Sequence, residues 1–199
     1  MGKTNHFSVH GLWPEYGMDC HKINFHEVDL SKQNQHDIPL YWSSMYNSQM
    51  WFIDHELSKH GSCWEPKRAN LSKVEPELAY VQKNGNLNSP NGILNTFLQL
   101  SMAISKKNDI YEILKSFEIL PSNNETVEIT NIISAIENYF GFEGFVYPVC
   151  QAKHHRKYFS EIRFCLDDNY RKIKCEGTTV QNHINSCAKG VLYPEFPQL

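Results

Sequence analysis

The chain has 199 residues, of which 41% are hydrophobic and 21% are charged. This composition excludes a fibrous or disordered protein and is sufficient for a buried core, so we expect one globular domain over residues 1–199. The net charge of −3 excludes an overall basic field, and any binding of nucleic acid therefore depends on a local site. No segment has the roughly 20 apolar residues that a membrane span needs, so we expect no membrane partner.

The pattern of apolar residues predicts an α+β fold, in which an antiparallel β-sheet packs against several helices. In chain order, residues 7–11 are typical of a short strand, and residues 24–39 of a polar loop. Helical spacing predicts helices over residues 49–60, 93–105, 110–117 and 130–140. Aromatic and β-branched residues predict strands over residues 145–149, 158–165 and 190–193.

The cysteines indicate disulfides rather than a zinc site, because their number is even and no Cys-x-x-Cys pair is present. They are Cys20, Cys63, Cys150, Cys165, Cys175 and Cys187. Asn70 and Asn124 begin Asn-x-Ser/Thr triplets, which makes them candidate glycosylation sites. Both features predict a protein of the secretory pathway, extracellular or vacuolar. Since residues 1–6 do not look like a signal peptide, we expect one to have preceded this sequence.

Two segments concentrate side chains suited to acid–base chemistry. In the first, over residues 6–14, the predicted strand ends near His10 and is followed by Trp13. The second, over residues 51–63, carries four polar groups on one predicted helix, namely His55, Glu56, Lys59 and His60. Residues four apart lie one helical turn apart, so these groups form two adjacent rows that can converge on one anion.

These residues suit the cleavage of RNA, in which the 2′-hydroxyl of the substrate is the nucleophile. One histidine takes the proton of that hydroxyl and a second protonates the leaving 5′-oxygen, and neither step needs a metal. His60 on the helix and His10 on the strand are the candidate pair. A neighbouring lysine ammonium would stabilise the charge on the five-coordinate phosphorus.

Other interpretations of the same residues compete with this one. His55 and Glu56 begin like a His-Glu-x-x-His zinc helix, but His60 lies five positions after His55 rather than four and is turned away on the helix. A solvated helix face is also possible, although the apolar residues nearby predict an anchored helix: Trp51, Phe52, Ile53 and Leu57. Trp13 is compatible with a core position, and residues 154–157 with a solvated basic loop or a phosphate contact.

Residues 7–14 (FSVHGLWP) and 55–63 (HELSKHGSC) resemble the two active-site signatures of the ribonuclease T2 family, in the usual order. The resemblance extends through the C-terminal half and is similar to the plant branch, which contains the self-incompatibility ribonucleases and their S-like relatives. It implies a secreted, monomeric endoribonuclease that acts on single-stranded RNA, with no cofactor, no metal and no DNA partner. The products would be a 2′,3′-cyclic phosphate and then a 3′-phosphate.

The resemblance also implies a role for each signature residue. His60 would be the general base on the 2′-hydroxyl, and His10 the general acid for the leaving oxygen. The remaining roles are stabilisation of the phosphorane by Glu56 and Lys59, phosphate binding by His55, and stacking of a base by Trp13. The implied disulfides are Cys20–Cys63, Cys150–Cys187 and Cys165–Cys175.

The chain departs from the family pattern in two ways that bear on function. Family members usually have an N-terminal strand before the first signature, whereas this chain begins nine residues before His10. We therefore expect that strand to be missing and the chain to be truncated relative to the family. The isoelectric point of about 6.4 favours an S-like role over self-incompatibility. The alternative function is a catalytically impaired recognition protein with a protein partner, in self-incompatibility or defence.

Overall fold

The computed structural model describes residues 7–23, 26, 29–44, 48–187 and 190–195. The chain divides into two compact units, one within residues 6–109 and the other within residues 110–199. The first unit is helical over the residues described, and the second combines helices with a sheet. This is the predicted α+β class. None of the described helices is long and apolar enough to cross a membrane.

The first unit contains helices α1 (Lys32–Tyr41), α2 (Gln49–Lys59), α3 (Pro76–Asn84) and α4 (Pro90–Lys107), with 3-10 turns at Gly61–Cys63 and Pro66–Arg68. The longest, α4, begins with Ser89 as N-cap and Pro90 in its first turn, both of which favour a helix start. Phe97 and Leu98 on α4 are fully buried, as are Ile53 and Leu57 on α2.

Helix α1 falls where the sequence predicted a polar loop over residues 24–39. Two of its three buried residues are polar, Asn34 and Asp37, and Asn34 is fully buried. The Asn34 side-chain amide donates to Asn95 Oδ1 (2.7 Å) and to the Asn95 carbonyl (3.0 Å) on α4. Lys106 also donates to Asp37 Oδ2 at 3.1 Å. The loop prediction was wrong because α1 is held by hydrogen bonds to α4, which leave no trace in the hydrophobic pattern.

The predicted strand over residues 7–11 is also absent, because these residues form no regular element. The Val9 N–H donates to the carbonyl of Tyr41 at 2.8 Å, and Tyr41 is the last residue of α1. Val9 itself is buried. A helix end offers no continuing ladder of backbone groups, so the alternation of residues 7–11 does not produce a strand.

The second unit carries the sheet. Its elements are α5 (Ile110–Ser116), β1 (Thr126–Val127), α6 (Ile129–Phe140), β2 (Val146–Lys153), β3 (Arg156–Phe164), α7 (Thr178–Ser186) and β4 (Val191–Leu192). The strand order is β1-β4-β3-β2. The β1–β4 and β2–β3 pairs are antiparallel, as predicted, whereas β3 and β4 pair in parallel through Tyr158 and Leu192. Helices α3 and α7 were not predicted from the sequence.

Three disulfides fasten the two units internally. Cys20–Cys63 lies in the first unit, and Cys150–Cys187 and Cys165–Cys175 lie in the second. These are the same pairs that the resemblance implied, and none of the described cysteines is free. The two bridges of the second unit tie β2 to the end of α7 and close the segment that follows β3.

Candidate active site

Helix α2 presents the second signature on two faces. Ser48 caps the helix by accepting from the Trp51 N–H, and the helix ends at His60, whose N–H donates to the Glu56 carbonyl. Glu56 lies on the inner face and is 2% exposed. His55 is exposed on the outer face, and Lys59 is half-buried. The helical periodicity therefore separates one buried carboxylate from the cations around it.

Residues 7–14, which carry the first signature, are held by contacts from elsewhere in the first unit. Besides the bond from Val9 to the end of α1, the indole Nε1 of Trp42 donates to the carbonyl of His10 at 3.0 Å. Trp42 is fully buried, so this bond fixes the backbone of His10 against the core. The His10 side chain remains exposed beyond it.

Glu56 connects the two signatures. Its Oε2 accepts a hydrogen bond of 2.8 Å from the indole Nε1 of Trp13, and its Oε1 lies 3.6 Å from Nε2 of His10. Gly11 lies directly against this contact, because a Cβ there would fall well inside van der Waals contact of both Glu56 Oε2 and Trp13 Nε1. A side chain at Gly11 is therefore incompatible with the pairing of the two segments.

The aromatic rings of the same residues are packed together. Trp13 lies 5.3 Å from His60 and 5.0 Å from His10, measured between ring centroids. His10 also contacts Phe52 at 5.7 Å. The structure thus brings together four of the predicted site residues: His10, Trp13, Glu56 and His60. Phe52, which we expected only to anchor the helix, is half-buried and joins the site beside His10.

His55 and Lys59 line an open cleft of about 370 Å³ on α2, together with Asp19, Trp51, Asp54 and Ser58. The rings of Trp51 and His55 are stacked, with centroids 5.3 Å apart and planes 10° apart. Trp51 was expected to anchor the helix but is 53% exposed. Sequence reasoning missed this cleft, and the only signal was Trp51 four positions before His55.

Burial and charge shift the pKa values of two site residues in opposite directions. Burial, followed by the positive charges of Lys59, His55 and His10, lowers the pKa of His60 to about 4, while Asp19 opposes these effects. Burial raises the pKa of Glu56 above its ordinary value, against the hydrogen bond from Trp13 and the nearby cations. His60 is consequently neutral at the pH where most proteins work, which is the state that a general base requires.

The end of α2 is fastened to the chain that follows the first signature. Besides the Cys20–Cys63 disulfide, the Asp19 N–H donates to the Lys59 carbonyl at 2.8 Å, and the Cys20 N–H donates to Ser62 Oγ at 3.1 Å. The His60 Nδ1 atom is buried without a hydrogen-bond partner among the described residues. His60 is therefore left with Nε2 as the nitrogen that can exchange a proton with a substrate.

The other predicted residues belong to other segments of the chain. Asn70 is exposed, and its side chain accepts from the Ser72 N–H at 3.1 Å, while Asn124 is exposed in the second unit. Both remain candidate glycosylation sites. His154 and His155 form the two-residue turn between β2 and β3, with φ of 50° and 63°. Among the described residues, no group of three or more His, Cys, Asp or Glu side chains is arranged to hold a metal ion.

Comparison with known proteins gives a consistent family. A sequence profile of the ribonuclease T2 family matches residues 1–176. Ribonuclease Rh of Rhizopus niveus is 28% identical over 153 residues, which are 70% of this chain and 58% of that protein. The first curated relatives are longer than this chain, which spans between 39% and 58% of their length.

Solved structures share the fold. Human RNase T2 has a TM-score of 0.68 and 20% identity, and the match covers 96% of this chain and 85% of that one. RNase NT in complex with 5′-AMP has a TM-score of 0.66 and 22% identity, and covers 95% and 83% of the two chains. At these identities the structures support the fold alone. The profile match covers most of the sequence, and the protein belongs to the ribonuclease T2 family.

Proposed function

We propose that this protein is an endoribonuclease that cleaves single-stranded RNA by transesterification, with His60 as general base and His10 as general acid. The observation that carries the proposal is the contact of both histidines with one tryptophan, Trp13, whose indole is fixed by the buried Glu56. Two histidines beside one aromatic face allow a nucleotide stacked there to present its phosphate between them.

In the first step, His60 Nε2 removes the proton of the 2′-hydroxyl as O2′ forms a bond to phosphorus. The bond from phosphorus to O5′ breaks, and His10 gives its proton to that oxygen. A 2′,3′-cyclic phosphate and a free 5′-hydroxyl result. The lowered pKa of His60 keeps it unprotonated for this step, and Glu56 Oε1, which lies 3.6 Å from His10 Nε2, holds the imidazole of the proposed acid in position.

In the second step the proton transfers run in reverse. His10 takes a proton from water, whose oxygen attacks phosphorus, and His60 returns its proton to O2′ as that bond breaks. The product is a 3′-phosphate. Both steps pass through a five-coordinate phosphorus with additional negative charge, which Lys59 and His55 offset in the proposed mechanism.

Glu56 acts here chiefly as a positioning residue. Its two carboxylate oxygens approach Trp13 and His10 separately, so its burial fixes the base-stacking ring and the acid with respect to each other. The resemblance also implies a contact of Glu56 with the phosphorane.

The test is cleavage of single-stranded RNA in the presence of EDTA by the wild-type chain, by His60→Ala and by His36→Ala. His36 is an exposed histidine on α1, so its variant controls for the loss of an imidazole as such. We expect activity to fall about 1,000-fold in His60→Ala and to persist in His36→Ala. Equal activity in His60→Ala and wild type, or an inactive wild-type chain with a native near-ultraviolet circular dichroism spectrum, would contradict the proposal. The second result would favour the recognition protein.

We also propose that the protein works in an oxidising compartment, extracellular or vacuolar, because its three disulfides persist where thiols are not kept reduced. That it is a monomer stays a prediction. Expression in a secretory host should give a product without free thiols, glycosylated at Asn70 or Asn124. Placement in the plant branch stays a prediction, since a fungal relative and a human structure also match the chain.

A further inference from the structure

The outer face of α2 carries an aromatic platform formed by His55 and by Trp51, and Trp51 has no part in the reaction described above. Trp51 and His55 lie one helical turn apart, and their rings stack with centroids 5.3 Å apart and planes 10° apart. Trp51 is 53% exposed even though it is one of the largest apolar side chains. An exposed indole whose ring is held by stacking offers a second face on which a nucleobase can stack.

The cleft beside this platform contains polar groups that are not used within the protein. Its lining includes the carboxylates of Asp19 and Asp54 and the ammonium of Lys59. Within the described part of the chain, these three side chains make no hydrogen bond or ion pair. Carboxylates accept hydrogen bonds from the amino groups of bases, and an ammonium binds phosphate as a point charge. The cleft thus combines a stacking surface, acceptors for a base edge and a cation for the backbone.

The cleft is also continuous with the candidate active site. Lys59 and His55 line it, and their charges act on His60 and Glu56. A strand of RNA whose scissile phosphate lies beside His60 therefore has its next phosphates near the same two cations. The volume of about 370 Å³ fits one small planar group rather than a protein element.

We infer that the cleft formed by Trp51, Asp54, His55 and Lys59 is an additional nucleobase subsite, which binds a nucleotide of the RNA strand outside the dinucleotide that is cleaved. The inference rests on the proposed ribonuclease function and adds a preference for longer substrates. The base stacks on the free face of Trp51, and its amino group donates to Asp54. The subsite strengthens binding of the strand and leaves the proton transfers to His10 and His60.

The test compares substrates that do and do not reach the cleft. The value of kcat/KM is measured for a dinucleoside monophosphate, which spans only the cleaved bond, and for a hexanucleotide RNA. In Trp51→Ala we expect the loss for the hexanucleotide to exceed the loss for the dinucleotide at least about fivefold, mainly through KM. Trp51→Phe keeps an aromatic face and should recover part of that difference. Tyr80→Ala, which removes an aromatic side chain that is 69% exposed on α3, should change neither value.

Binding of a labelled 2′-deoxy hexanucleotide, which lacks the nucleophile and cannot be cleaved, provides a second measurement. Fluorescence anisotropy should show a Kd at least about fivefold higher for Trp51→Ala than for wild type and for Tyr80→Ala. Equal losses for both RNA substrates, or an unchanged Kd, would overturn the inference while leaving the ribonuclease intact. If the wild-type chain cleaves neither RNA, the proposed function fails, and the binding measurement still decides whether the cleft holds a nucleotide strand.

Discussion

The two segments that carry the candidate site reach their positions in different ways. Helix α2 is determined locally, because its capping serine and its buried Ile53 and Leu57 lie within the helix and its immediate flank. Residues 7–14 have no regular structure, and their backbone is held by bonds to Tyr41 and Trp42. The reaction needs one group from each segment, so the precision of the site depends on the long-range contacts more than on the helix.

This difference determines how each segment should respond to mutation. A change in a local helix signal alters the free energy of unfolding by a small amount and leaves the relative positions of the side chains intact. A change in a contact between the segments can move His10 or Trp13 away from His60 with little loss of stability. Measuring stability and activity on the same variant therefore separates the two kinds of effect.

The largest effect is expected from removing the disulfide that joins the end of α2 to the chain after the first signature. Cys20 and Cys63 are 43 residues apart, and loop-closure entropy gives their bridge about 4 kcal/mol of stability. Cys20→Ala with Cys63→Ala should lower the free energy of unfolding by about that amount, measured with urea, and should lower activity where the fold persists. The disulfide is adjacent to the hydrogen bond from the Asp19 N–H to the Lys59 carbonyl, and this hydrogen bond loses its support when the disulfide is removed.

The matched control is Cys165→Ala with Cys175→Ala in the second unit. These cysteines are 10 residues apart, so the same entropy gives about 3 kcal/mol. At a temperature where both variants are folded, the control should keep its ribonuclease activity. Equal losses of activity in the two variants would show that the Cys20–Cys63 disulfide does not position the site.

The next effect is expected at Gly11, where a side chain would enter the contact between Trp13 and Glu56. Gly11→Ala should lower kcat/KM by about 100-fold, because the hydrogen bond from Trp13 Nε1 must break or the backbone next to His10 must move. The melting temperature should fall only slightly. Ser8→Ala in the same segment removes only an exposed hydrogen bond of 3.2 Å from Ser8 Oγ to the Ser43 carbonyl, which contacts neither Trp13 nor Glu56, so this control should be nearly neutral. Wild-type activity in Gly11→Ala would show that this contact does not position the site.

His60, at the end of α2, has a pKa that is lowered first by burial and then by the charge of Lys59. The folded value of about 4 lies below the ordinary 6.5, so the unfolded chain binds the proton more readily. The contribution of His60 to stability therefore falls as the pH drops from 6.5 towards 4. Nuclear magnetic resonance should show the His60 imidazole titrating near pH 4, and the acid limb of kcat/KM should fall in the same range.

Removing a neighbouring charge tests how far Lys59 contributes to the low pKa of His60. Lys59→Gln should raise the pKa of His60 and move the acid limb to higher pH, because the ammonium of Lys59 disfavours the protonated imidazole. Lys83→Gln, at an exposed lysine on α3, should leave the pKa of His60 and the acid limb of kcat/KM unchanged. Titration of His60 at its ordinary pKa in the wild-type protein would contradict the argument that burial keeps the base neutral.

The same contrast explains what the sequence predicted. Helix α2 was predicted to within a residue because its signals are local, and so were α5 and α6, which ends at Gly141 with φ of 64°. The strands β2 and β3 were placed by their branched and aromatic residues, but the structure extends them into the turn at His154 and His155. In each case the periodicity of neighbouring residues was sufficient to predict the type of element and its approximate place.

The errors fall where contacts between distant residues decide the structure. Helix α1 depends on Asn34 and Asn95, whose partnership no pattern within residues 24–39 reveals. Residues 7–11 alternate like a strand, yet Val9 bonds to the end of a helix. In the site, the sequence named His10, Glu56 and His60 through motifs, but it could not show that Glu56 joins the two segments or that Trp51 is exposed. Those facts depend on packing in three dimensions.

The smallest effect is expected from a mutation that weakens α2 itself by removing its N-cap. Ser48 Oγ accepts a hydrogen bond of 3.2 Å from the Trp51 N–H. Ser48→Ala removes this bond and should lower the free energy of unfolding by about 1 kcal/mol. Ser89→Ala removes the corresponding cap of α4, where Ser89 Oγ accepts from the Gly92 N–H at 3.1 Å, and should cost a similar amount. Both variants should keep the wild-type kcat/KM at a temperature where they are folded, because neither changes a contact between residues 7–14 and α2. A loss of activity in Ser48→Ala comparable to that in Gly11→Ala would mean that the first turn of α2 positions the site as strongly as the long-range contacts do, and the distinction between the two segments would fail.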